Sequence, residues 1–343
     1  MKITGDKGHP NKVTFKTKDV SENQVMSPWW LEDKEDVAAS LMLTSAAYLK
    51  ETQGWRYKQA ALHCRLYGGQ SLFGFAGSDM NKMEGGSLPV DRPTFNLIQS
   101  ASDTLISRIS QSRPAPSFLT DNGDYKQRNL AKKLDNFIAG EFYQTKTYDL
   151  ATNILRDALI FGTGVAHTFE TPDNRIGLER VLLTELFIDP NESMYGNPRQ
   201  IYRLKLIDRE VLMANFPNFA KKIELAAKGT PDNSATASKT VADQVMVVES
   251  WHLRSGKKQK DGRHMIACSS GALLDEEYDK DEFPFTFLHY NTRPLGFWSQ
   301  GIAEQLKGTQ IELNSILYTI SKAIKLVGVP RVFVNQGSKV SKT

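Results

Sequence analysis

Cysteine is scarce: the 343 residues contain two, Cys64 and Cys268, far apart in sequence. Such scarcity excludes a disulfide-stapled scaffold. It points to free thiols in a reducing compartment, with a single bridge between the two as the alternative. Long apolar runs are missing as well. No stretch reaches the roughly 20 apolar residues that span a bilayer. The polar, Lys- and Gly-bearing segment Met1 to Lys18 lacks the apolar centre of a secretory signal. The expectation is a soluble chain, made in the cytoplasm, with no membrane partner. Charge of one sign is also wanting. The 43 basic and 39 acidic residues leave a net charge of +4, too mild to argue nucleic-acid binding from bulk charge. Only a local arrangement of charge could carry that claim.

Catalytic and cofactor signatures are absent too. No phosphate-cradling loop of the Gly-x-x-x-x-Gly-Lys-Ser/Thr type occurs, so hydrolysis of ATP in that manner is not expected. Gly162-x-Gly164 has His167 where a dinucleotide fingerprint needs a third glycine, and it follows a helix instead of a strand. Neither a Gly-x-Ser-x-Gly elbow nor a His-Glu-x-x-His pair is present. His252, His264, Cys268 and His289 share one β-rich region, but their spacing fits no common structural zinc pattern. The carboxylates from Asp275 to Glu282 crowd too closely to single out an acid–base pair. Trp29, Trp30 and Trp55 read more simply as core or subunit contacts than as a binding face. The chain is expected to be no enzyme and to carry no cofactor and no metal.

What is present is ordinary globular material, 40% hydrophobic and 24% charged, on a chain long enough for more than one packed unit. Periodicity predicts helices from Glu32 through Leu49, Trp55–Tyr67, Thr94–Ser112, Tyr125–Gln144 and Tyr148–Phe161. Gly68 and Gly69 end the second. Pro114 and Pro116 lie beyond the third, and Gly162 and Gly164 beyond the fifth. Val165–Glu170, Ile176–Leu183 and Gln200–Leu206 predict strands. Asp208 is placed to cap a helix running to Ala227, which Pro217 should break or kink. Gly74–Pro89 reads as a loop and Gly229–Lys239 as a linker. Val245–Leu253, His264–Cys268 and Phe285–Tyr290 predict a small β unit, followed by a long helix, Gln300–Val327, and a strand at Arg331–Val334.

The long helix would span roughly 40 Å at 1.5 Å per residue. Ile302, Leu306, Leu313, Ile316, Leu317, Ile320, Ile324 and Val327 fall on one face at about 100° per residue. Lys307, Asn314, Ser315, Lys322 and Lys325 fall on the other. Two readings stay open: a helix whose polar side meets solvent, or one packed on neighbouring subunits with its lysines toward a polyanion. Lysine, a hydrated point charge on a flexible stem, attracts phosphates without fixing a register. Beside this helix the charges are segregated. Arg254, Lys257, Lys258, Lys260 and Arg263 form a basic hairpin tip. Asp275, Glu276, Glu277, Asp279, Asp281 and Glu282 form an acidic run. They read either as two solvated loops or as complementary docking patches between copies.

Taken in order, several segments resemble phage portal proteins, the head-to-tail connectors of tailed bacteriophages. They are Asp103-Thr-Leu-Ile-Ser-Arg-Ile leading to Arg113-Pro114, then Asp157-Ala-Leu-Ile-Phe-Gly-Thr-Gly-Val165 and Phe187-Ile-Asp-Pro190. The strand Arg199–Leu206 follows. Last come Phe283-Pro-Phe-Thr-Phe-Leu-His-Tyr-Asn291, Gly296-Phe-Trp-Ser-Gln-Gly-Ile302 and Gln310-Ile-Glu-Leu-Asn314. The resemblance runs from about Thr94 to Val334.

It implies an α+β, portal-like, ring-forming subunit with a helical and mixed wing, long stem helices and a small β-rich clip. In residue ranges, 1–30 would be a flexible arm, 31–207 the wing and 208–240 a first stem helix with a linker. The clip would be 241–295, the second stem helix 296–328, and 329–343 an incomplete return to the wing. Such proteins form a dodecameric ring at the capsid vertex through which double-stranded DNA is packaged and ejected. The implied partners are further copies of the chain, the large terminase subunit, major capsid and scaffolding proteins, and a tail adaptor. Assembly would take place in the host cytoplasm and the product would reside in the virion. Lys307, Lys322, Lys325 and Asn314 become candidates to face the DNA. Arg254, Lys257, Lys258, Lys260, Arg263, Asp275, Glu276 and Glu277 become candidates for motor or adaptor docking. Portal chains normally continue past the strand after the stem helix, so a tunnel loop and crown are not expected within Thr343. The competing expectations are a DNA-binding subunit or enzyme of nucleic-acid processing, and another head–tail adaptor of the virion.

Overall fold

The structure, a computed structural model, describes residues 28–69, 94–120, 123–171, 173–229, 243–256 and 259–328. The predicted loop at 74–89, most of the linker and the strand at 331–334 lie outside the described residues.

Helices and antiparallel sheets are interleaved in an α+β arrangement. The helices before the first strand are α1 (Glu35–Thr52), α2 (Gly54–Tyr67), α3 (Leu97–Ser110), α4 (Tyr125–Gln144) and α5 (Thr147–Phe161). Strands β1 (Thr163–Glu170), β2 (Ile176–Val181), β3 (Leu186–Phe187) and β4 (Gln200–Asp208) follow, then short helices α6 (Arg209–Asn215) and α7 (Ala220–Leu225). The chain continues through β5 (Gln244–His252), β6 (Arg263–Cys268), β7 (Gly271–Glu277) and β8 (Phe285–His289) into α8 (Ile302–Val327). One sheet has the order β2-β1-β8 and the other β3-β4-β5-β6-β7.

The larger sheet is covered on both faces. On one, α1 turns Ala38, Ala39, Met42, Ala46 and Leu49 inward at helical spacing against Tyr202, Val248 and Met265. On the other, Leu212 of α6 and Ile223 of α7 pack on Val245, Val247, Cys268 and Leu273. A third cluster joins the two sheets through Val165, Ile201, Trp251 and Phe285. Burial on both faces explains why β5 carries a near-continuous apolar run instead of a clean alternation.

Three expectations on organisation need correction. Residues 241–295 do not form a unit of their own. β5 pairs with β4 across nine positions, from Gln200↔His252 to Asp208↔Gln244, and β8 pairs with β1 from Thr163↔His289 to His167↔Phe285. The supposed clip strands therefore complete sheets begun by wing strands, because both faces of β5 need cover that a small hairpin unit lacks. Among the described residues of the range 208–240 there is no stem-length helix. Asp208 caps α6 by accepting from Glu210 N at 3.1 Å, as its position predicted, but α6 ends at Asn215 and Pro217 opens a separate 3₁₀ turn. The arm does not extend to residue 30. Trp29 is fully buried, its indole N–H donating to Tyr202 Oη at 2.9 Å, and Trp30 stacks on His252 at 4.2 Å. Both cysteines are free thiols, and Cys268 is buried.

The passage from α5 into β1 fixes the root of α8. Gly162 takes φ +97°, and a side chain there would collide with the Ser299 carbonyl. Tyr290 N donates to Gly162 O at 2.9 Å, and Ser299 N to Thr163 Oγ1 at 3.2 Å. The segments Asp157–Val165 and Gly296–Ile302, far apart in sequence, are thus one junction in space.

Candidate functional site

α8 contains 26 residues, about 39 Å of helix at 1.5 Å per residue. Its first part is docked. Ile302, Ala303 and Leu306 pack among Leu66 of α2, Ile98 and Ile106 of α3, and Leu159 and Ile160 of α5. Gln310 is only 2% exposed. Its Oε1 accepts from Leu97 N at 2.8 Å and Ile98 N at 3.4 Å, while its Nε2 donates to Phe95 O at 2.5 Å. α3 is therefore capped twice: locally by Asn96, which accepts from Gln99 N at 3.0 Å, and from a distance by Gln310.

Beyond Gln310 the helix loses its cover. Ile316, Ile320, Ile324 and Val327 lie on one side and are 48%, 50%, 65% and 83% exposed. At about 100° per residue, Ile311 and Tyr318 fall opposite that stripe and Leu326 on its flank, and all three are exposed. The side expected to be polar is therefore partly apolar. A helix that is apolar on more than one side is normally buried on more than one side.

The four candidate DNA-facing residues separate. Lys322 and Lys325 are exposed on the distal part of α8. Lys307 is half-buried near α2, where His63 has its pKa pushed down to about 4. Burial is the main cause; Glu304 opposes it, and Lys307 adds to it. Asn314 is turned toward the body, its Oδ1 accepting from Phe95 N at 3.1 Å and from Gln310 Nε2 at 3.2 Å. Four residues after Gln310, it shares that residue's docked side.

The charged patches also resolve differently from two free loops. Asp275, Glu276 and Glu277 stand at the end of β7, not in a loop. Arg263 forms a bidentate pair with Asp275 at 2.7 and 2.5 Å and donates to the carbonyls of Trp29 and Glu32 at 3.1 and 2.7 Å. Arg254 Nε donates to Asp281 at 2.6 Å. Glu276 meets His264 Nδ1 at 2.7 Å, and Glu249 meets its Nε2 at 3.2 Å. Burial alone would depress the His264 pKa, but the two carboxylates outweigh it and raise the value. Basic and acidic groups thus meet largely within one chain. Lys260 and Glu277 stay exposed, and Lys257 and Lys258 lie outside the described residues.

A buried ionic network had no single motif to announce it. Arg203 of β4, 3% exposed, donates to Glu179 of β2 at 2.6 Å and to Glu185 at 3.2 Å. His167 of β1 lies 3.1 Å from Glu179. The His167 hydrogen bond, with the Arg203 guanidinium and Lys205, holds the Glu179 carboxyl well below the usual range. These residues tie the small sheet to the large one. Among the described residues no group of three His, Cys, Asp or Glu could hold a metal ion, and no helix is long and apolar enough to cross a membrane.

Residues 47–293 match the family model described as Phage P22-like portal protein, which covers well over half of the chain. The chain belongs to the P22-like phage portal protein family. Membership gives it a structural, portal role in the phage particle. No curated protein matches the chain. The match includes α2, α5, both sheets and the Asp157–Val165 half of the Gly162 junction. It ends nine residues before α8 begins, so the distal part of that helix speaks for itself through its exposed side chains.

Proposed function

We propose that copies of this portal-family chain close into a ring, a dodecamer on the family pattern, around double-stranded DNA. The distal part of α8 packs against a neighbour on each side. The supporting observation is that α8 exposes apolar side chains on two opposed sides, with Ile316, Ile320, Ile324 and Val327 on one and Ile311 and Tyr318 on the other. A head-to-tail contact that closes by rotation presents two different surfaces of each subunit, which is what a helix with two apolar sides provides. Burying each such side chain stabilises by about 1.5–3 kcal/mol. Repeated around a ring, this offsets the cost of association.

In this reading Lys322 and Lys325, which share the side of α8 that carries Ile311 and Tyr318, flank that contact and reach the channel from its edges, and Lys307 and Asn314 do not face it. The ring passes the genome during packaging and ejection, works with the large terminase subunit and later a tail adaptor, and contacts capsid and scaffolding proteins. The alternative, a DNA-processing subunit, drew on the basic loop. Arg254 and Arg263 are engaged by Asp281 and Asp275, which leaves that loop with less positive charge to offer.

Electron microscopy of the full chain tests the ring. Rings with an axial hole of duplex width are expected, and a monodisperse monomer at high concentration would overturn the proposal. Lys322→Glu combined with Lys325→Glu tests the channel. Rings should still form while packaged DNA falls severalfold, and unchanged packaging would remove both lysines from the channel.

A further inference from the structure

Two adjoining clefts, of about 560 and 310 Å³, meet at Arg56 on α2. The smaller volume is at the lower end of the range typical of ligand pockets, roughly 300–1,000 Å³. The Arg56 guanidinium lies 4.0 Å from the centroid of the Trp298 ring. It donates to Gln53 Oε1 at 2.7 Å and to the carbonyls of Leu186 and Leu183, each at 3.3 Å. All of these acceptors are neutral. Among the described residues no carboxylate is paired with it. The carboxylate that shares the smaller cleft, Glu304, is taken by Arg293, which donates to both of its oxygens at 2.6 Å. Burial without a counter-charge pushes the Arg56 pKa down to about 9.

A guanidinium in a cleft with no carboxylate paired to it among the described residues is an arrangement that a ligand's charge would complete. The walls specify the rest of the ligand. Trp55 is 57% exposed and Leu295 59% exposed, both at the cleft. We propose that this cleft binds a carboxylate on an apolar stem, Arg56 taking the carboxylate in bidentate fashion and Trp55, Leu295 and Trp298 holding the stem. Phosphate fits less well, because the second arginine at the smaller cleft, Arg293, is already engaged by Glu304 and the surfaces beside Arg56 include the apolar Trp55, Leu295 and Trp298. The chemistry has two sources: an acidic residue beside an aromatic one in a peptide segment of a protein partner, or a free aromatic acid.

The test uses the full chain and four probes: 3-phenylpropionate, its uncharged amide, an acetylated and amidated Phe-Glu-Leu peptide, and inorganic phosphate. Binding is read by tryptophan fluorescence and by saturation-transfer NMR. Binding of the carboxylates, with the amide weaker by about tenfold or more, is the expected result, since a hydrogen bond to a charged group contributes about 1.5–3 kcal/mol. Arg56→Gln should weaken carboxylate binding by a similar factor. Trp55→Ala changes an exposed residue and should weaken it severalfold with folding intact. If Arg56→Gln fails to fold, the amide comparison on the unaltered chain and Trp55→Ala decide. Binding of the peptide but not 3-phenylpropionate assigns the cleft to a protein partner, and the reverse assigns it to a free acid. Equal binding of acid and amide, phosphate binding as well as the carboxylates, or no binding of either carboxylate would overturn the proposal.

Discussion

Along α8, the stretch from Ile302 to Gln310 and the stretch from Ile316 to Val327 carry apolar residues at the same helical spacing. The first stretch is buried among α2, α3 and α5, whereas most of the second lies exposed in the isolated subunit. The difference lies in what surrounds the helix. The proximal stretch is apolar on one side only and ends on Gln310, a buried polar residue whose hydrogen bonds are all spent within the chain. The distal stretch is apolar on two sides, and most of its apolar side chains stay exposed. A single apolar stripe is thus compatible with folding alone, and the second side is what the proposed ring contact would use. α4 offers a further contrast. It has no buried residue at all, although Leu130, Leu134 and Phe137 follow helical spacing.

Substitutions can break this comparison, beginning with the docked stretch. Ala303→Asp places a charge where the side chain is fully buried. It should destabilise the subunit by about 3–5 kcal/mol in chemical denaturation, because nothing there compensates a carboxylate. A cost under about 1 kcal/mol would mean that the helix root is not docked. Gln310→Ala should cost about 1–3 kcal/mol by leaving the first α3 donors and the Phe95 carbonyl unmet. Hydrogen exchange should quicken first in residues 95–99.

His264→Gln tests the charged end of β7 and carries a pH signature. The folded-state pKa of His264 is raised, so its contribution is fully present below the unfolded value, about 6.5. That contribution fades as pH rises through the folded value. The variant should therefore lose roughly 1–2 kcal/mol at pH 5.5 and less at pH 9. A loss that grows with pH would contradict the carboxylate clamp. The smallest effect on the subunit itself belongs to the distal stretch. Ile320→Asp with Ile324→Asp should change subunit stability by no more than about 0.5 kcal/mol, yet abolish ring assembly in sizing and microscopy. A large loss of subunit stability would show that the distal stretch is covered within its own chain.

Much of this arrangement was legible in the sequence. Helices with a strong stripe and a clear stop, such as α5 with Gly162 behind it, fell where periodicity placed them, as did the break at Pro217. The strands β1, β4, β5 and β8 were visible from their β-branched and aromatic content. What stayed hidden depended on partners distant in the chain. Two-residue β3 is too short to show any period. β7 was masked by its acids, Asp275 and Glu276, whose partners Arg263 and His264 sit on β6. The separate β unit was mistaken because local pattern cannot say which strand β5 will pair with. The patch residues Arg254 and Arg263 looked free because Asp281 and Asp275 are many residues away. Gln310 and Asn314, four apart and polar on the docked side of an amphipathic helix, were the available hint that this side meets backbone.

The Gly162 junction has a mechanical consequence. Because α5, β1 and the Ser299–Gly301 turn interlock there, with no room for a side chain at Gly162 or Gly301, the base of α8 has no slack. An axial push on the distal end of the helix would pass into the two sheets through backbone contacts at Gly162, while a sideways push on its described part would first be resisted at Gln310. The described helix is thus anchored to the body of the subunit at two points, its root beside Gly162 and Gln310 about two turns further on.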